Sequence, residues 1–325
     1  MRIFFVIFLI FSMAFCEQNN TKPSLKRMIG QMIITGFDGY SVDSKEFKQL
    51  LKDLSYGRIG GVILLEKNFE NKEQFLFIIK KLRHISTTLP PFIGIDEKAT
   101  YNLNSDYIGY DLLENLALNS KPVKTLYTNI AKEMNDCTIN LSLSPNVNNV
   151  KSSNLKNSDL SAYANDFIDI FGEQNIVSAM RFFPSKESRA NFDYKELKVY
   201  FDMISRDKAD IIMSSSAKFA NLDPNNEAYF SKTILNGILR NELKFKGIIL
   251  SDDLLKNSDN ILQSAIKAIM AGNDMVFVSS NLSGNKSLPN EIINAIDKAV
   301  SDGKISREQI ENSYLRIQKL KEKIK

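Results

Sequence analysis

Beyond its first twenty residues, the chain alternates short apolar runs with amphipathic stretches. The runs are QMIITGF (31–37), GGVILL (60–65), PFIGID (91–96), TINLSL (138–143), IVSAMRFF (176–183), DIIMSS (210–215), GIILSDD (247–253) and DMVFVSS (274–280). Each is short, rich in isoleucine or valine and apolar at successive positions, as parallel strands buried on both faces are. The stretches between them repeat at helical spacing. NKEQFLFIIKKLRHI places Phe75, Phe77, Ile78, Ile79 and Leu82 on an apolar side. DNILQSAIKAIMAGND places Ile261, Leu262, Ala265, Ile266 and Ile269 together, with Gly272 as the expected C-cap. YFSKTILNGILRNELKFKG is expected to close at Gly247. A last helix, opened by Ser306 and Glu308, carries Ile310, Tyr314, Ile317 and Leu320 on one stripe.

Eight strand–helix units in about 300 residues predict an α/β fold, a closed (β/α)8 TIM-type barrel forming a single domain. The open alternative, a doubly wound sheet, needs a glycine-rich phosphate turn after the first strand. TGFDGY at that place lacks it. No linker or low-complexity stretch interrupts the pattern.

The first residues stand apart from it. MRIFFVIFLIFSMAFC has a basic residue, an unbroken apolar run and small residues at Ala14 and Cys16, the spacing of a signal-peptidase site. The expectation is a signal peptide over 1–16, a mature domain over 17–325 and a periplasmic location. A lipoprotein signal with lipidated Cys16 is the alternative. Only Cys137 remains after cleavage, and the chain has one histidine, His84, at a helix end. No disulfide, zinc site or other cofactor is expected. A net charge of +4 with 25 % charged residues is an ordinary surface, and no basic–aromatic block suggests a nucleic-acid partner.

In a barrel of this kind chemistry sits at the C-terminal strand ends. That rule selects Asp96, Arg181, Ser214 to Ser216, Asp252, Asp253 and Ser279. Asp252 and Asp253 are neighbours on one strand, so alternation sends them to opposite faces, and they do not make a catalytic pair.

The runs IGQMIITGF, GRIGGVILLEKNF, PPFIGIDE, INLSLSPNVNNV, LDPNNEAYFSKTILNGILRNELKFKGIILSDDL and AIKAIMAGNDMVFV resemble the N-terminal barrel of family 3 glycoside hydrolases. Within it they resemble the bacterial single-domain β-N-acetylglucosaminidase branch, which trims N-acetylglucosamine from peptidoglycan fragments. The resemblance implies a retaining mechanism with Asp252 as nucleophile, and sugar contacts at Asp96 and at Arg181, which stands at the family's lysine. The branch takes its general acid from a histidine on the loop after the fifth strand, in a Lys-His-Phe-Pro-Gly-His-Gly pattern completed by an aspartate. Here that stretch is RFFPSKESRANFDY. Phe182 replaces the first histidine; Phe192 and Tyr194 stand at the aspartate–histidine pair. The double glycine and arginine after Asp96 are replaced, Tyr101 standing at the arginine's position. Asn148 matches an aspartate and Ser216 a histidine. Glu187, Asp193 and Tyr194 are the substitutes for the acid that the loop offers.

Two readings follow. One is a β-N-acetylhexosaminidase-type enzyme with a non-standard acid, taking a peptidoglycan-derived amino sugar. The other is a non-catalytic relative that binds or scaffolds a periplasmic protein, in which Asp252 ties backbone N–H groups together.

Overall fold

The computed structural model describes residues 22–85, 87, 89–103, 121–148, 157–256 and 258–324. The expected signal peptide, with Cys16, and the side chain of Tyr101 lie outside them.

The eight apolar runs form eight strands. They are β1 (Ile33–Thr35), β2 (Gly61–Leu64), β3 (Phe92–Ile95), β4 (Leu141–Ser142), β5 (Val177–Phe183), β6 (Ile211–Ser214), β7 (Ile248–Asp253) and β8 (Met275–Val278). All pair in parallel, and the ring closes in the order β1-β8-β7-β6-β5-β4-β3-β2. Ile33 opposite Val276 makes the closing contact, and Leu64 opposite Ile95 is typical of the rest. Burial on both faces explains the continuous apolar runs: one side chain fills the barrel and the next meets a helix.

Two helices depart from the sequence reading. In the helix Lys72–Arg83, Phe75, Ile78, Ile79 and Leu82 are buried, but Phe77 is 45 % exposed under the Lys81 ammonium. The buried stripe is narrower than the apolar composition suggests, and position 77 falls outside it. The helix Thr233–Glu242 ends before Gly247, at Leu243, whose amide bonds Ile238 O, and the chain turns at Lys244 with φ +61°. Gly247 is not a cap. A Cβ there would lie 2.3 Å from Asp210 O, so glycine is needed where the chain enters β7. Gly272 is the left-handed cap of Ile261–Ala271, at φ +119°, and Ser306 opens Arg307–Lys321 by accepting the Gln309 amide at 3.1 Å. His84 is an exposed helix cap and Cys137 is half-buried against the core.

The N-terminal ends of β7 and β8 hold a buried polar hub. Asp274 is 1 % exposed and accepts from Ile249 N (2.9 Å), Ser313 Oγ (2.8 Å), Arg316 Nη1 (2.9 Å) and Arg240 Nη2. Arg240 also donates to Phe245 O and Gly247 O at 2.9 and 2.7 Å. One carboxylate thus joins two barrel strands to two helices.

Lys321 is also buried at this end. Its ammonium donates to Gln31 Oε1 (2.8 Å) and Gly60 O (2.6 Å) and lies 5.0 Å from the Phe92 ring centroid. Burial pushes Lys321 down to about 7. Its unfolded value is higher, so between about pH 7 and pH 10 the unfolded chain binds a proton that the native chain does not. Stability from this residue therefore rises with pH across that window, by up to about 1.4 kcal/mol per unit. Urea unfolding at pH 7 and pH 9 should show that slope in the wild type and not in Lys321→Met; equal slopes would show that the buried lysine does not set it.

Candidate active site

The C-terminal strand ends surround a depression of about 460 Å³ lined by Asp96, Arg181, Phe182, Asp252 and Asp253, among others. The three residues singled out as site candidates, Asp252, Asp96 and Arg181, are therefore brought together. The strand order sets β3 and β7 four strands apart in either direction, so Asp96 and Asp252 stand on opposite sides of the ring.

Asp252 and Asp253 both line this mouth, against the alternation expected of neighbours. The register explains it. Leu250 pairs Met275 and Asp253 pairs Phe277, so β7 spends three residues where β8 spends two. This bulge turns consecutive side chains toward the same end. Their surroundings differ. Asp252 Oδ1 accepts from Asp253 N at 2.8 Å and from Lys256 Nζ at 3.0 Å, and Oδ2 accepts from Ser216 Oγ at 2.9 Å. Asp253 Oδ1 accepts from Leu255 N (3.1 Å) and Ser279 N (3.0 Å), which fastens the loops after β7 and β8 to each other.

Across the ring, Asp96 Oδ1 accepts the Ala99 amide at 2.8 Å, at the start of the helix Glu97–Leu103. Burial pushes the Asp96 carboxyl up, against the opposing pull of the Ala99 amide and the Arg181 guanidinium. Arg181 donates to Glu97 Oε2 at 2.8 Å and stacks over the Phe182 ring at 5.2 Å. Its Nε is buried with no hydrogen-bond partner among the described residues. Asn148 holds the Phe182 backbone with two bonds of 2.9 Å, one to its carbonyl and one from its amide.

None of the substitute acids on the β5 loop lines the mouth. Glu187 is exposed. Asp193 accepts the Lys195 amide at 2.9 Å and caps the turn Tyr194–Leu197. Tyr194 is 50 % exposed on the outer wall, and burial, then Glu242, push its phenol up, the wrong direction for a proton donor. Phe192 packs in the core against Phe219, ring centroids 5.3 Å apart.

Two contacts of Asp252 escaped the sequence reading. Ser216 counted there as one of several strand-end serines and as a missing histidine, with no link to Asp252, yet it is a hydrogen-bond donor to the carboxylate. Lys256 drew no notice, although its spacing of four from Asp252 is the sort of signal that pairs charges. Among the described residues, no group of three or more His, Cys, Asp or Glu side chains is placed to hold a metal ion.

The sequence model described as the N-terminal domain of glycosyl hydrolase family 3 matches residues 24–320. The chain belongs to glycosyl hydrolase family 3. A β-hexosaminidase of Shewanella frigidimarina is 29 % identical over 291 residues, covering 78 % of this chain and 83 % of that protein. The crystal structure of a β-N-acetylhexosaminidase from Beutenbergia cavernae superposes with a TM-score of 0.76 at 19 % identity, over 93 % of this chain and 100 % of that one. A fungal multidomain family 3 β-N-acetylglucosaminidase reaches a TM-score of 0.79 at 18 % identity, and the chain spans 40 % of its length. At these identities the two structures establish the family 3 barrel fold, and the mouth described above is its strand-end face.

Proposed function

We propose that the chain is an exported, retaining glycosidase of N-acetylated amino sugars, acting in the periplasm on peptidoglycan-derived fragments. Asp252 is its nucleophile, and Asp96 and Arg181 hold the sugar. The supporting observation is the setting of Asp252: a carboxylate at a strand end, oriented through both oxygens by three donors, facing a cavity large enough for a sugar ring. A retaining enzyme needs such a group to attack the anomeric carbon, with a proton donor about 5–5.5 Å from it. The Arg181 guanidinium and the Asp96 carboxyl supply directional bonds to hydroxyls. The apolar floor around Phe182 suits a sugar face.

The departing oxygen needs a proton in proportion to its basicity. With no acid from the β5 loop in the mouth, aryl glycosides with acidic phenols, which need little protonation, should react faster than alkyl or sugar leaving groups, whose proton must come from another group of the mouth. The mature protein from Glu17 is expected to turn over an aryl β-N-acetylglucosaminide much faster than a muropeptide disaccharide. Equal rates on both would place a full-strength acid in the site.

The ion pair between Lys256 and Asp252 favours a second reading, a non-catalytic relative whose carboxylate is permanently neutralised and whose barrel binds a sugar or a periplasmic protein. Folded protein that binds N-acetylglucosamine in calorimetry but turns over no aryl glycoside would establish it.

A further inference from the structure

Lys256 lies in the turn after β7, on the rim of the mouth, with its side chain 54 % exposed and Nζ 3.0 Å from Asp252 Oδ1. The other cations of the mouth are held elsewhere. Lys67 donates to Ser279 O at 2.7 Å and pairs with Asp38, Lys98 pairs with Glu66 at 3.3 Å, and Arg181 pairs with Glu97. Asp253 is bound by two amides. Lys256 is thus the protonated group that rests against the candidate nucleophile itself.

Reaction brings an anomeric carbon to about 3 Å from one oxygen of Asp252. The departing oxygen lies one bond beyond that carbon. A donor already hydrogen-bonded to the carboxylate has only a few ångströms to move to reach the acid's place in a retaining site. A half-exposed lysine on a flexible four-carbon stem can make that movement.

We propose that Lys256 is a catalytic residue that leaves Asp252 as the sugar enters and protonates the glycosidic oxygen. This rests on the reading of Asp252 as nucleophile. In the first step an Asp252 oxygen forms a bond to the anomeric carbon. The bond to the leaving oxygen breaks, and that oxygen takes a proton from Nζ. The products are a glycosyl ester, a free alcohol and a neutral amine. In the second step the amine takes a proton from water as the water oxygen attacks the anomeric carbon. The ester bond breaks, and carboxylate and ammonium are restored.

The test is a series of aryl β-N-acetylglucosaminides graded by the acidity of the departing phenol, assayed with wild type, Lys256→Met, Lys256→Arg and Asp252→Ala. Read as kcat/KM, which reports formation of the glycosyl ester and not its hydrolysis, Lys256→Met should change reaction of the most acidic phenol by less than about threefold. It should slow the least acidic by about 10²-fold, steepening the leaving-group dependence. Arginine keeps the charge but does not release its proton, so Lys256→Arg should behave like Lys256→Met. A uniform loss across the series, no loss, or rescue by arginine overturns proton donation while leaving Asp252 as nucleophile. Wild-type turnover that Asp252→Ala does not reduce overturns the reading of the site and this role with it. Lys256 is half-exposed, so its variants should fold as the wild type does.

Discussion

Asp252→Ala is expected to lose at least about 10³-fold in kcat on an aryl β-N-acetylglucosaminide, because among the described residues the other carboxylates of the mouth are held elsewhere, Asp253 by two amides, Glu66 by Lys98 and Asp96 across the ring. The loss should be one of chemistry and not of folding. Of the donors that Asp252 leaves behind, Lys256 and Ser216 are open enough to meet water, and the Asp253 amide costs on the order of 1–2 kcal/mol. The removed carboxylate leaves room for a small anion. Added azide should enter it, attack the anomeric carbon from the face Asp252 used, and give an α-configured glycosyl azide that NMR can identify. Folded Asp252→Ala with wild-type turnover would show that the carboxylate only fastens the strand end, and attention would move to binding partners.

Asp274→Ala is expected to cost about 3–5 kcal/mol of stability, the range for breaking a buried ion pair from one side. Arg240 would keep its charge in a place where burial already holds its pKa below the usual arginine range, with the Asp274 charge the largest influence opposing that. The Ile249 amide and Ser313 hydroxyl would lose their acceptor at the same time. Against a typical total of about 5–15 kcal/mol, such a loss should show as a large fall in the urea midpoint with little change in slope. A shift under about 1 kcal/mol would mean that water enters and solvates Arg240. The mouth is at the other end of the strands, so residual folded protein should keep wild-type KM.

This hub also shows where the sequence is legible and where it is not. The eight strands could be read directly because burial on both faces leaves a signature in consecutive residues, and Gly272 because a left-handed cap favours glycine. Arg240 and Asp274 stood within blocks that resembled the family, but nothing along the chain joins residues so far apart; the pair exists only once β7 and β8 lie side by side. Gly247 was misread as a cap because its requirement comes from Asp210 O, on a different segment. The site follows the same rule. The ends of β3, β5 and β7 can be named from the fold class, which is enough to place Asp96, Arg181 and Asp252 at one mouth. The side on which Asp253 emerges depends on a bulge set by register with β8, which single-strand alternation does not contain. The bond from Ser216 and the clamp of Asn148 on Phe182 likewise depend on which strands become neighbours.

The pairing of the mouth's charges has a kinetic consequence. Together with their ion-pair partners the acids of the mouth, Glu66, Asp96, Asp252, Asp253, Asp38 and Glu97, outnumber Lys67, Lys98, Arg181 and Lys256 by two, and each cation has an anion within reach. Opposite charges a few ångströms apart present little field at a distance, and beyond about 8–10 Å salt screens what remains. The mouth therefore exerts only the weak field of that small negative excess, and an anionic solute gains no diffusional advantage over a neutral one of similar size. Capture of a neutral ligand should proceed at an ordinary, unsteered rate that hardly changes between dilute buffer and high salt, with selection made only after contact.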